Sequence, residues 1–206
     1  MSTVPTEVEV RALVAAIVAE VTAGDGPPRS DPGTPASKHA PEPSGPAEIA
    51  LGADHGGYRL KERIAGHLRE RGTAIYDCGT DSTDSVDYPD FAHGVAHLVA
   101  DGTCTWGIVV DGAGIGSAMA ANKVPGIRAA NAHDTSMARN AREHNYANVL
   151  TLGARMIGEG LALEIVDTFL TTSWGAERHG KRVAKITAIE ERYSRPRPEE
   201  ALEAAR

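Results

Sequence analysis

Trp106-Gly-Ile-Val-Val-Asp-Gly-Ala-Gly-Ile-Gly-Ser117 decides the fold. Its first five residues, Trp106–Val110, are a short apolar run with no polar alternation, the pattern of a strand buried on both faces. Glycine then takes every second place, at Gly112, Gly114 and Gly116, and Ile115–Asn122 starts a helix directly after the turn. Outward from this βα unit the alternation repeats. Glu48–Ala53, Ala74–Asp77, Arg128–Ala132 and Val149–Leu152 read as four further strands. Helices are predicted over Tyr58–Arg71 (Leu60, Ile64 and Leu68 inward), Asp90–Ala100, Thr135–Glu143, Gly158–Thr171 and Glu177–Tyr193. Strands alternating with helices predict an α/β domain over 47–193, with a five-stranded parallel sheet covered on both faces, because each crossover lays a helix on the sheet.

The flanks have a different character. Val10, Leu13, Val14, Ile17, Val18 and Val21 share one helical face, Thr6 and Glu9 form a capping box, and Gly24 is a stop. The span 1–23 thus reads as an amphipathic helix whose stripe needs a partner surface. Residues 24–46 carry seven prolines among Gly, Ser and Asp, a composition that builds no core and predicts a disordered linker. A polar tail is expected over 194–206.

Composition excludes several function classes. Of 206 residues, 21 are Lys or Arg and 28 Asp or Glu, a net charge of −7, opposite to that of a non-specific nucleic-acid binder. No apolar run approaches the roughly 20 residues of a membrane span. Two cysteines, Cys78 and Cys104, make neither a disulfide scaffold nor a zinc site. With no secretory signal in the opening residues, a reducing, cytoplasmic setting is expected.

Ligands of such folds sit beyond the carboxyl ends of the strands. Three of those ends carry suitable sequence: Asp54-His55-Gly56-Gly57, the glycine run Asp111–Ser117, and Gly153-Ala154-Arg155. The amides of Gly112, Gly114 and Gly116 suit an anion, although the run is not GxGxxG and reads equally as a tight strand-to-helix turn. Arg178 and Arg182, one turn apart, form either a phosphate clamp or a solvated basic face. His133 and the pair His144-Asn145 are placed for acid–base work or for helix capping. His93 and His97 lack a third metal ligand. Ser117 has no base partner in the sequence, which argues against a serine hydrolase.

Five stretches, GADHGGYRLKE, DCGTDSTDSVDYPDFA, DGAGIGSAMAANKVPGIRAA, AREHNYANVLTLGARMIG and RHGKRV, resemble in order and spacing the ribose-5-phosphate isomerase B family, which includes the galactose-6-phosphate isomerase subunits. The resemblance runs from Ile49 to about Ile189. It implies a Rossmann-like three-layer α/β/α sandwich, a homodimer or homotetramer with active sites shared between subunits, and cofactor-free interconversion of aldose and ketose phosphates. By position, Asp54 and His55 would contact the sugar, and amides from Gly112 to Gly116 would hold an enediolate. His144 would assist ring opening, Asn145 would hold hydroxyls, and Arg155, Arg178 and Arg182 would take the phosphate. The family's loop reads Cys-Gly-Thr-Gly-Ile-Gly, with cysteine as base, and a second branch uses a glutamate just after the loop. Here those places hold Asp111, Ala113 and Ser117, so Asp111 is the expected base, and a non-catalytic sugar-phosphate binder is the alternative. The helix over 6–23 and its linker are similar to encapsulation peptides that dock enzymes on bacterial microcompartment shells. An oligomerisation helix or a segment packed on its own domain are the other readings.

Overall fold

The computed structural model describes residues 48–194, together with Ala12 and Ala16, both helical and exposed. The readings for the rest of 1–47 and for 195–206 lie outside the described residues. Five strands, β1 (Glu48–Ala53), β2 (Ala74–Asp77), β3 (Trp106–Asp111), β4 (Ala129–Asn131) and β5 (Val149–Gly153), alternate with helices α1 (Tyr58–Glu70), α2 (Tyr88–Ala100), α3 (Ile115–Ala121), α4 (Thr135–Asn145) and α5 (Glu159–Thr171). A final helix, α6 (Glu177–Ser194), follows α5. The sheet is parallel throughout, in the order β2-β1-β3-β5-β4. This is the expected Rossmann-like sandwich.

Period-two alternation divides the core. Ile49, Leu51, Ile108, Val110, Leu150 and Leu152 pack with Leu60, Ile64 and Leu68 of α1 and Ile165, Val166 and Phe169 of α5. Ala50 and Val109 face the other way, onto Ala92, Val95 and Ala96 of α2 and Ala121 of α3. On that second face α2 comes so close that a Cβ on Gly107 would lie 2.6 Å from Val95 Cγ1. Each interior thus has its own helical cover, which leaves the strand ends as the places where backbone and polar groups meet solvent.

Two features set the geometry of the site. The chain leaves β1 for β2 on one side, while β3 leads to β4 and β5 on the other. The order therefore reverses between β1 and β3, the position where a crevice opens beyond the strands' carboxyl ends. In register, Ala53 pairs with Val110, and Asp111 with Gly153, so the three loops start level. At the opposite end, α4 is pinned beside the start of β5. Its buried Arg142 donates from Nε to Phe169 O and from Nη1 to Ala147 O, with its guanidinium 3.7 Å from the Trp106 ring centroid.

Candidate active site

At the carboxyl ends, three loops interlock through backbone bonds. Asp54 N donates to Val110 O (3.2 Å), Ala154 N to Asp111 O (2.8 Å) and Arg155 N to Gly112 O (3.1 Å). Asp54 is buried and its Oδ1 accepts from Gly57 N at 2.9 Å, closing the Asp-His-Gly-Gly turn on itself. His55, partly buried, sets Nδ1 at 3.2 and 3.3 Å from the backbone O and N of Val86. Arg155 is exposed above the glycine loop. Gly114 has φ +78° and abuts Asn131, and a Cβ on Gly116 would strike the Tyr88 ring. Both glycines are therefore demanded by the packing.

Asp111 ends β3 inside this knot, 4% exposed. Its Oδ1 accepts from the amides of Ala113 (2.7 Å) and Gly114. Its Oδ2 accepts from Ser117 N (3.1 Å) and from the Ser117 hydroxyl. A carboxylate offers about four lone-pair directions, and all four are engaged. The sequence shows no base partner for Ser117; in the structure its hydroxyl donates to Asp111, six residues earlier, because the glycine turn folds back on the strand end. Ser117 is fully buried, which keeps it from acting as a nucleophile toward a bound ligand.

His133 follows β4 at this same end, with Nε2 buried and making no hydrogen bond among the described residues, whereas His144, Asn145, Arg178 and Arg182 lie at the other end of the sheet. α4 continues through His144 and Asn145, two residues beyond its predicted stop, and ends at Tyr146, whose φ of 53° breaks the helix. The Tyr146 ring stacks on Trp174 (4.6 Å, 4°), its hydroxyl donates to Gly175 O (3.0 Å), and Gly175 N donates to Glu143 O (2.9 Å). These contacts place the first two turns of α6, with Arg178, His179 and Arg182, against the last turn of α4. Both arginines are exposed, whereas His179 is buried with its ring on that of His144. Asn145 Nδ2 lies 3.2 Å from Asn140 Oδ1, and Asn140 Nδ2 2.9 Å from His144 Nδ1. With the amide so oriented, Nδ1 accepts and a neutral His144 carries its hydrogen on Nε2.

Within one chain the structure therefore brings Asp54, His55, Asp111, Gly112, Gly114, Gly116 and Arg155 together, and separately His144, Asn145, Arg178 and Arg182. The five residues of β5, roughly 16 Å of strand, lie between the clusters. Sequence reasoning missed His179, Asn140, Asn131 and Tyr88 as site neighbours. For His179 the available signal was its place between two arginines that were themselves singled out.

Burial pushes the Cys104 thiol up to about 12, and Cys78 is raised further, chiefly by the same cause, so both are inert. Burial and His97 lower the pKa of His93. Among the described residues no group of three His, Cys, Asp or Glu side chains is placed to hold a metal ion, and no helix is long and apolar enough to cross a membrane.

Comparison with known proteins identifies the family. Residues 49–186 match the Ribose/Galactose Isomerase family. Ribose-5-phosphate isomerase B of Escherichia coli is 46% identical over 145 residues, 70% of this chain and 97% of the relative. The structure of Clostridium thermocellum ribose-5-phosphate isomerase B superposes with a TM-score of 0.71 at 53% identity, covering 71% of this chain and 99% of the other. That of the Mycoplasma genitalium enzyme with bound ribulose 5-phosphate gives a TM-score of 0.68 at 38% identity, covering 70% and 96%. By its motifs, its sheet order and these matches, the chain belongs to the ribose/galactose isomerase family.

Proposed function

We propose that the chain is an aldose–ketose isomerase of sugar phosphates, with ribose 5-phosphate and ribulose 5-phosphate as the foremost pair. One observation carries the reading: in a chain of this family, a buried carboxylate stands at the root of the glycine loop, level with Asp54 in the β1/β3 crevice. Ring opening moves a proton from the anomeric hydroxyl to the ring oxygen as the C1–O4 bond breaks, and the Nε2–H of His144 stabilises the oxygen that receives it. Asp111 then takes the hydrogen from C2, and the electron pair passes through C1 to O1 as an enediolate held by loop amides. Proton return to C1, with loss of the O2 hydrogen and protonation of O1, completes the ketose.

For Asp111 to act, the sugar's O1 takes over the amides of Ala113 and Gly114, and this releases Oδ1. A carboxylate suits proton abstraction beside a carbonyl, as the glutamate of triosephosphate isomerase shows. Because His144, Asn145, Arg178 and Arg182 lie at the far end of the sheet, a second copy supplies them, in a dimer or tetramer. α6 presents Ile186, Ile189 and Tyr193 to solvent beside a groove of about 740 Å³ that includes Asn145, an apolar surface for that copy to cover.

A second reading rests on the four filled acceptor sites of Asp111: a sugar-phosphate binder without turnover. Ribose 5-phosphate in deuterated buffer separates the two. Ribulose 5-phosphate labelled at C1 is expected; saturable binding with neither label nor ketose establishes the binder instead. A panel of four- to six-carbon aldose phosphates identifies the preferred substrate.

Residues 6–23 act in this proposal as an address for a bacterial microcompartment, supported by their apolar stripe and by the linker behind it. Deleting 1–46 leaves turnover within about twofold, since the family domain starts at Ile49, and abolishes co-sedimentation with shell protein. A truncated chain that still sediments with shells refutes the address.

A further inference from the structure

His179 is buried beside His144, 3% exposed, and the chemistry outlined above leaves it without a part. Its ring lies flat on that of His144, with centroids 4.2 Å apart and planes 7° from parallel. Its Nδ1 makes no hydrogen bond among the described residues. Packing therefore holds the ring, with Gly175 alongside: a Cβ there would sit 3.2 Å from His179 Cδ2 and 2.5 Å from Glu143 O.

His144 needs such support. Its side chain is 40% exposed on the last turn of a helix, with solvent beside it and a left-handed residue two places on. A ring that must address one sugar oxygen has to be held within roughly half an ångström and 10–20°. Asn140 fixes one edge, through Nδ1. Glu143 Oε1 lies 3.7 Å from Nε2 on the other edge, and the stack on His179 sets the face.

We infer that His179 is a positioning residue for His144, a buried flat floor that sets the plane in which Nε2–H meets the ring oxygen of the sugar. The inference rests on the isomerase reading and assigns His179 to ring opening alone, not to proton transfer between C1 and C2. The floor works because it stays uncharged. Burial lowers the pKa of His179, and so do His144, Arg178 and Arg182; Glu143 alone opposes them. Two imidazolium rings at this separation would repel, as would His179 and its flanking guanidinium groups.

The two directions of the reaction test this. Ribose 5-phosphate is chiefly a closed ring, whereas ribulose 5-phosphate, its 5-hydroxyl esterified, stays open. In His179→Ala, conversion of ribose 5-phosphate falls about 100-fold, the scale of one acid–base contribution. Deuterium exchange into ribulose 5-phosphate falls less than about threefold, because that step needs no ring opening. His179→Phe, which keeps a flat ring, restores conversion to within about fivefold of wild type. Equal losses in both assays, or no loss in His179→Ala, overturn the inference. Ring ¹H–¹⁵N spectra give a readout independent of turnover: the His144 signals shift in His179→Ala and stay near wild type in His179→Phe, and signals unmoved in both variants also overturn it. A wild-type protein that shows neither conversion nor exchange defeats the isomerase reading instead, while the spectra still judge the stack.

Discussion

Asp111→Asn abolishes isomerase turnover, by about a thousandfold or more in kcat, the span expected when the proton-transfer group is lost. It also destabilises the domain. Four donors converge on the Asp111 carboxylate, from Ala113, Gly114, and the amide and hydroxyl of Ser117. Asparagine turns one accepting oxygen into a donor, so at least one amide loses its acceptor in a buried place, whereas the Ser117 hydroxyl can turn to accept. Each unsatisfied donor costs about 1–3 kcal/mol, and for a domain of this size Tm drops on the order of 5–10 °C. Circular dichroism at a temperature well below the new Tm keeps the kinetic result interpretable.

A companion variant separates base from brace. Asp111→Cys with Ala113→Thr restores the loop chemistry of the family that this chain resembles. If the remaining site is intact, turnover returns to within about tenfold of wild type with a thiolate as base. Turnover kept in Asp111→Asn, with only Tm reduced, would make Asp111 a brace and send the search for the base to Asp54, the other buried carboxylate in the crevice.

The value of these variants reflects what the residue pattern could and could not convey. Strand–helix alternation was legible because burial on both faces demands unbroken apolar runs such as Trp106–Val110. Element ends were less so. α2 starts at Tyr88 rather than Asp90, since Pro89 fits a first turn whose amide would be unpaired anyway. β4 shrinks to Ala129–Asn131; Arg128 leaves the ladder for its own partners, its amide on Asn148 Oδ1 and its Nε on Tyr146 O. Motif identity was legible at Asp54-His55, the glycine loop and the paired arginines. Through-space relations were not: no spacing rule says that Ser117 returns to Asp111, or that His144 and Asp54 lie at opposite ends of one sheet.

That separation yields the second large effect. His144→Ala and Asp111→Ala each remove one half of the site, and each protein alone is inactive by about a hundredfold or more. If a complete site draws its carboxyl-end residues from one copy and its α4/α6 residues from another, mixing the two variants rebuilds it. A mixed dimer has one site lacking both groups and one lacking neither. With random exchange, half of all dimers are mixed and each carries one intact site of two, so activity climbs to about a quarter of wild type. The exchange is made by unfolding and refolding the proteins together, with each variant refolded alone as control. A mixture no more active than its components shows that every site is built within a single copy. Recovery therefore decides between an assembly that completes the site across two copies and a site that each copy builds alone, and it does so without knowledge of which sugar phosphate is preferred.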